Sequence, residues 1–378
     1  MKKIGITCYP TIGGSGVIAT ELGKKLADRG HEIHFITSSM PFRLEKVYVN
    51  VYYHQVEISH YPVFQYPPYD LALAAKMAEV IDREKLDILH VHYAMPHAIC
   101  GILARDMAKH PVKIVTTLHG TDITILGIDN TLKPIIRHGI EQSDAVTAVS
   151  ESLRKQTMEM LDIKKEMDVI YNFINENEYY PRKVTELRNQ YQINDADKIM
   201  IHISNFRKVK RVQDVIDTFK IVNESIPSKL LLIGDGPEFS DMSLHVNELG
   251  LEKEVQFLGK QNNVSDILSM ADLMLLMSEK ESFGLVLLEA MACGVPGIGT
   301  NVGGIPEVLT HDETGYIVGL GDVQQAADYA VQLLSNTEKQ EQFSKAAIEH
   351  VRDCFASDKI VNQYENLYNR VLEAEERD

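Results

Sequence analysis

The 378-residue sequence carries 38 Lys+Arg against 54 Asp+Glu, a formal charge of −16; it is longer than one ordinary core and suits two domains of roughly 150–200 residues each. Such a charge repels nucleic acid and anionic lipid over most of the surface, and no long basic tract offsets it, so neither is an expected partner. The cysteines Cys8, Cys100, Cys293 and Cys354 are widely spaced with no CxxC pair, which suggests neither a zinc site nor a disulfide framework and fits reduced thiols in a cytoplasmic protein.

From the N-terminus, MKKIGITCYP starts like a secretion signal, but its apolar run has only a strand's length and stops at Pro10. Short apolar runs then alternate with amphipathic helical stretches, the pattern of a parallel sheet covered by helices. In the first half, strands are expected at Lys3–Cys8, His31–Thr37, Ile88–His92, Lys113–Leu118 and Ala145–Val149, with an extended stretch around Val47–Val63. Tyr171–Arg182 is rich in aromatic residues and asparagine and has no regular period, so the interdomain crossover is placed there, with domains 1–170 and 171–356. The second half repeats the alternation, with strands expected at Lys198–Ile203, Lys229–Ile233, Val255–Leu258, Leu273–Met277 and Pro296–Gly299. The highly charged tail 357–378 has a helical pattern that suits either domain. No run approaches the roughly 20 apolar residues of a spanning helix.

Ligands of open parallel sheets bind beyond the carboxyl ends of the strands, so the turns after each strand carry the functional reading. After the first strand, Gly13, Gly14, Ser15 and Gly16 open a helix running to Arg29, a turn that lets a phosphate or sugar approach a helix N-terminus. A dinucleotide is disfavoured, because the GxGxxG spacing is incomplete and the second strand ends in Thr37, Ser38 and Ser39 where a ribose-binding carboxylate belongs. His90 and His92 lie on one face of the third strand, with Tyr93 and His97 following, but no Asp, Glu or Cys completes a metal site with them. After the fourth strand, Thr116, Thr117, His119, Thr121 and Asp122 gather polar groups.

The strongest local signal is Glu281-Ser282-Phe283-Gly284-Leu285, a polar turn opening a helix that carries Glu289 in an otherwise apolar run. A lone buried carboxylate is costly, so Glu289 needs a partner, and a ribose diol would serve. Eight helical residues span roughly 12 Å, so the two glutamates are not a retaining-hydrolase pair, which needs about 5 Å. Arg207, Lys208, Lys210 and Arg211 form the dense basic cluster of an acidic chain and suit the neutralisation of a leaving diphosphate. The turns Gly234-Asp235-Gly236-Pro237 and Gly303-Gly304-Ile305-Pro306-Glu307 place flexible backbone at two further strand ends. No paired-carboxylate motif stands near these turns to hold magnesium, so no metal or other cofactor is expected.

Taken in order, the glycine turn Gly13–Gly16, His119-Gly120, Arg207 with Lys210, the GDGP turn, Glu281 and Glu289 with seven residues between them, and the GGIPE turn resemble the retaining glycosyltransferases of family 4. That resemblance spans nearly the whole chain. It implies the GT-B fold, two Rossmann-like doubly wound parallel-sheet domains facing across a cleft, with the C-terminal helix crossing back to the first. It also implies that Arg207 and Lys210 hold the diphosphate of a nucleotide sugar and Glu289 its ribose. Glu281 with the Phe283, Gly284 and Leu285 backbone would hold the sugar, with Gly14 and His119 beside it.

More narrowly, Ile4–Gly16, Phe64–Asp70, Leu89–His97, Thr116–Asp122 and His202–Arg211 resemble a branch of the family that passes N-acetylglucosamine from UDP-GlcNAc to L-malate to open bacillithiol synthesis. Phe173 after Asn172, and Ser204-Asn205-Phe206 before Arg207, depart from the general family pattern and agree with that branch. On this resemblance the acceptor meets Ser15, Tyr93, Thr117 and Arg137, attack occurs on the face that UDP leaves, and the product is α-linked. A UDP-sugar epimerase, a family 4 enzyme with another acceptor and a non-catalytic nucleotide-sugar sensor are the alternatives. Whether copies of the chain associate is left open.

Overall fold

A computed structural model describes residues 1–10, 13–44, 48–58 and 66–374. The chain divides into two compact units, one of residues 1–172 with 357–378 and one of Phe173–Ala356.

In the first unit the strands are β1 (Lys3–Thr7), β2 (Glu32–Thr37), β3 (Val51–Gln55), β4 (Ile88–His92), β5 (Lys113–Leu118), β6 (Ala145–Ala148) and β7 (Asp168–Val169). They form a parallel sheet in the order β3-β2-β1-β4-β5-β6-β7. In the second unit β8 (Lys198–Ser204), β9 (Ser228–Gly234), β10 (Val255–Gly259), β11 (Leu273–Leu276), β12 (Gly297–Thr300) and β13 (Gly315–Val318) form another, in the order β10-β9-β8-β11-β12-β13. Both are doubly wound α/β sheets. Their central strands are buried because helices cover both faces: β4 and β11 are buried at every residue, β11 being apolar throughout and β4 carrying two histidines. The edge strands β7 and β13 were not foreseen from the sequence. Of the extended stretch Val47–Val63, Val51–Gln55 is strand, while 47 and 59–63 lie outside the described residues.

The helix Ser357–Glu373 belongs to the first unit. Ile360, Val361, Tyr364, Leu367, Tyr368 and Val371 recur at helical spacing on its buried face. Arg29 bonds to Asp358 and Glu365, and His31 to Glu365. Each partly exposed ion pair is worth at most about 1 kcal/mol, whereas each fully buried apolar side chain contributes roughly 1.5–3 kcal/mol. Burial therefore holds this helix, and the charges set its register. Among the described residues, no helix is long and apolar enough to cross a membrane.

Candidate functional site

The basic turn of the second unit follows β8. His202 in that strand is buried; its Nδ1–H donates to the Leu275 carbonyl (2.9 Å), which leaves Nε2 to accept from Ser204 Oγ (2.9 Å). Ser204 Oγ in turn accepts from the Phe206 amide (3.2 Å) and sets the path of the turn. Burial pushes His202 down to about 4, so it serves as a neutral strut at ordinary pH. The cations of the turn are unequal. Lys210 Nζ donates to Glu281 Oε2 at 2.6 Å, and Arg211 forks onto Asp214 at 2.6 and 3.0 Å. Arg207 is half-buried and has no carboxylate partner among the described residues.

Glu281 lies in the turn after β11, and the helix Leu285–Ala292 starts behind Gly284, whose φ is +96°. The amides of the helix's first turn have no intrahelical acceptors and point out of its start. Phe283 is buried, with its ring edge-on to Phe355 at 5.7 Å, so its side chain anchors the turn while its backbone stays in place. Glu289 is 8 % exposed on the same helix.

Two glycine turns brace these loops by close backbone packing. A Cβ on Gly234 (φ +124°) would lie 1.8 Å from the Ser204 carbonyl oxygen, and one on Gly303 (φ +57°) 1.8 Å from that of Glu281. Gly236 and Gly304 face Asn205 and Ser282 in the same way, and the Gly304 amide donates to the Glu281 carbonyl at 3.0 Å. Read from sequence as flexible backbone, both turns are instead rigid supports. Gly303→Ala is expected to cost more than about 2 kcal/mol of stability, from left-handed strain plus the displaced carbonyl. Urea unfolding checks it, and a midpoint within error of the wild type would refute the brace.

In the first unit, Gly14 opens the helix Gly14–Asp28, and Tyr93 Oη donates to Ser15 Oγ at 2.7 Å. Tyr93 has φ +88°, and its amide bonds to the Thr117 carbonyl (2.9 Å). Burial pushes its phenol up to about 12, so it remains a hydrogen-bond donor. His119 is partly exposed, stands 5.4 Å from the Tyr93 ring and 5.0 Å from that of His92, and is held well below its ordinary value by burial and then by His97.

Asp122, whose role was not foreseen, is fully buried and accepts from the amides of Ala94 (2.8 Å) and Gly120 (3.2 Å), tying the turn after β4 to the turn after β5. Burial raises its pKa to about 6, and the backbone bonds oppose the rise. A buried carboxylate directly after the strand end was the signal available in the sequence.

Two expected acceptor residues are engaged by other groups in the first unit. Thr117 is corrected: its side chain is fully buried and its hydroxyl is engaged by His90 Nε2 (2.7 Å), Thr147 Oγ1 (2.7 Å) and Tyr364 Oη (3.5 Å). It is a strut between the sheet and the C-terminal helix, with no capacity left for a carboxylate. Arg137 lies on the helix Lys133–Gln142, where its Nε donates to Glu141 at 2.7 Å with Asp162 3.9 Å away.

Among the described residues, one group has metal-ligand chemistry, His34, His54 and Glu84. Arg83 Nη2 donates to His54 Nδ1 (3.0 Å), so His54 carries its proton on Nε2 and donates to His34 Nδ1 (2.9 Å), whose Nε2–H donates to Glu32 (3.0 Å). The chain is closed without an ion. Ligation through His54 Nε2 would force its proton toward the Arg83 cation.

The second unit matches the family model "Glycosyl transferases group 1" over residues 183–350, and the first matches "Glycosyltransferase Family 4" over residues 12–178. The chain is 61% identical over 370 residues to the N-acetyl-alpha-D-glucosaminyl L-malate synthase of Bacillus anthracis, covering 98% of this chain and 97% of that protein. It is 26% identical to the GPI3 subunit of phosphatidylinositol N-acetylglucosaminyltransferase from Saccharomyces cerevisiae, over 86% and 74% of the two chains. Among solved structures, the sucrose-phosphate synthase of Thermosynechococcus elongatus superposes with a TM-score of 0.83 at 21% identity, covering 99% of this chain and 100% of that one. Anabaena HepE in complex with UDP-glucose gives 0.82 at 23% identity, over 98% and 100%. At such identities these two likenesses speak for the GT-B fold.

Proposed function

The chain belongs to the family 4 glycosyltransferases, and from that premise we propose that it moves N-acetylglucosamine from UDP-GlcNAc to the hydroxyl of L-malate, giving N-acetyl-α-D-glucosaminyl L-malate, the opening step of bacillithiol synthesis. The observation that carries the acceptor and the sugar is the 61% identity to the malate synthase over nearly the full length of both proteins. The second unit takes the nucleotide sugar. Glu289 receives the ribose, Arg207 and Lys210 the diphosphate, and Glu281 with the Phe283–Leu285 backbone the sugar. The first unit takes L-malate through Ser15, Tyr93 and Arg137, with Gly14 and His119 toward the sugar.

In the transfer, the malate hydroxyl oxygen bonds to the anomeric carbon as the bond from that carbon to the β-phosphate oxygen breaks, on the same face. The hydroxyl proton goes to the departing phosphate. Charge that grows on the diphosphate is met by fixed cations, which need no rearrangement as the bond breaks.

The deciding experiment measures UDP release from UDP-GlcNAc with and without L-malate, with and without EDTA, and identifies the product linkage by NMR. Malate-dependent release that survives EDTA and yields the α-linked product is expected. Release or epimerisation without malate would replace this reading with an epimerase or another acceptor, and a β-linked product would end the same-face mechanism.

Arg137 must leave Glu141 to meet a malate carboxylate, but an exposed pair of that kind is worth only about 0.3–0.5 kcal/mol. Arg137→Ala is therefore expected to raise KM for malate about 10-fold or more while KM for UDP-GlcNAc stays within about 2-fold, since a charge-assisted bond is worth roughly 1.5–3 kcal/mol. Equal changes in the two constants would take Arg137 out of the acceptor site.

A further inference from the structure

His119 is the partly exposed end of a line of stacked imidazoles. The rings of His90 and His92 lie 4.6 Å apart, those of His92 and His119 5.0 Å, and His92 Nδ1 meets His119 Nε2 at 2.7 Å. We infer that His92 is a positioning residue that holds His119 in the tautomer with its proton on Nδ1, so that His119 offers an N–H donor from its outer nitrogen.

The argument is one of proton placement. A single proton lies between His92 Nδ1 and His119 Nε2, both rings being neutral at ordinary pH because burial holds them far below their usual values. If His119 supplied that proton, His92 would carry its own on Nε2. That atom is buried and has no hydrogen-bond partner among the described residues, so an orphaned N–H would result. If His92 supplies it, Nε2 of His92 keeps only a bare lone pair.

The neighbouring His97 shows which state this cluster accepts. Its Nδ1 bonds to the His92 carbonyl oxygen, which can only accept, so His97 is protonated on Nδ1 and its own buried Nε2 is left as a lone pair with no partner among the described residues. Orphaned buried N–H groups are the rarer defect. His92 takes the same form, donates from Nδ1, and leaves His119 Nε2 as the acceptor. The one proton of neutral His119 is then on Nδ1, which has no hydrogen bond among the described residues.

For the transfer, and resting on the reading that His119 faces the sugar, this makes His119 a donor toward a substrate oxygen. Its outer nitrogen is not a base. The acceptor's proton must go elsewhere, in keeping with its delivery to the leaving phosphate.

Ring-nitrogen NMR on the full chain with isotopically labelled histidine reads the tautomer directly, the His119 signals being assigned by their loss in His119→Gln. A pyrrole-type Nδ1 and a pyridine-type Nε2 on His119 are expected; the reverse pattern overturns the inference without reference to any variant. His92→Asn puts an amide N–H where Nδ1–H stands and should keep both the His119 pattern and kcat within about 3-fold. His92→Leu, which fills the space without a donor, should mix the His119 tautomers and lower kcat about 10-fold, the worth of one hydrogen bond. An unmixed His119 pattern in folded His92→Leu also overturns it. If His119 has the expected tautomer and His119→Gln turns over like the wild type, the tautomer stands and the placement of His119 beside the sugar falls.

Discussion

Arg207→Ala is expected to lower kcat about 100- to 1,000-fold, the scale on which one charge-stabilising donor acts in other enzymes. Of the cations around β8, Arg211 is forked onto Asp214 and Lys210 shares its charge with Glu281 at 2.6 Å. Arg207 alone of these three has no carboxylate of its own among the described residues, so its charge is available to the diphosphate undiminished. The guanidinium fork matches phosphate geometry, which a lysine does not, so Arg207→Lys should recover only part of the loss. Arg211→Ala is the matched control and should change kcat less than about 5-fold, because its charge is already spent on Asp214. Steady-state kinetics at saturating L-malate, with circular dichroism to verify folding, give the comparison. If folded Arg207→Ala stays within about 5-fold of wild type, the neutralisation rests on Lys210 or elsewhere.

The alternation of strands and helices was legible because a buried parallel strand has to be apolar on both faces, as LMLL is at Leu273–Leu276. β7 and β13 escaped because they are short edge strands of two and four residues, each with a neighbouring strand on one side only. The spacing of His90 and His92 placed both on one face of a strand, and the rings do stack. What covers that face comes from Tyr364 and Tyr368, more than 240 positions away. That is why Thr117 was misread: next to a strand end it looks available, yet the C-terminal helix closes over its hydroxyl. The glycine turns were recognised as special, but a sequence shows that a Cβ is missing and not what it would strike. Ser204 and Glu281 supply that answer only in three dimensions. The pairing of Lys210 with Glu281 across 71 positions is equally a product of the sheet order, since β8 and β11 are neighbours.

Acid is expected to unfold the first unit before the second, starting as pH falls through about 6.5. Buried histidines held neutral in the fold take up protons freely once unfolded, near an ordinary value of about 6.5. Where the unfolded chain binds more protons, stability rises with pH, so it falls as the solution is acidified through the window between about 6.5 and each folded value. In the first unit burial pushes His90 and His119 down to about 3, His97 to about 4, and His92 lower still. Each group held near 4 weakens folding by roughly 3 kcal/mol at pH 4 if it acted alone. Because these rings touch, their sum is smaller than four separate costs. Asp122 acts in the opposite sense. Its folded value of about 6 lies above that of a free carboxyl, so it adds roughly 2.4 kcal/mol as pH falls to about 4. One such group offsets about one histidine, and the net effect remains a loss of several kcal/mol, a large share of the stability of a typical domain. The second unit holds His202 near 4 and a half-buried His350 below its ordinary value, a smaller load. Hydrogen exchange followed by mass spectrometry at stepped pH between 7 and 4 separates the units through peptides of β4 and β5 against those of β8 and β11. Loss of protection in β8 and β11 first, or protection unchanged throughout that range, would show that the imidazole cluster is not held neutral. If the cluster does govern acid stability, His97→Gln should shift the onset of unfolding of the first unit to lower pH while leaving that of the second unchanged.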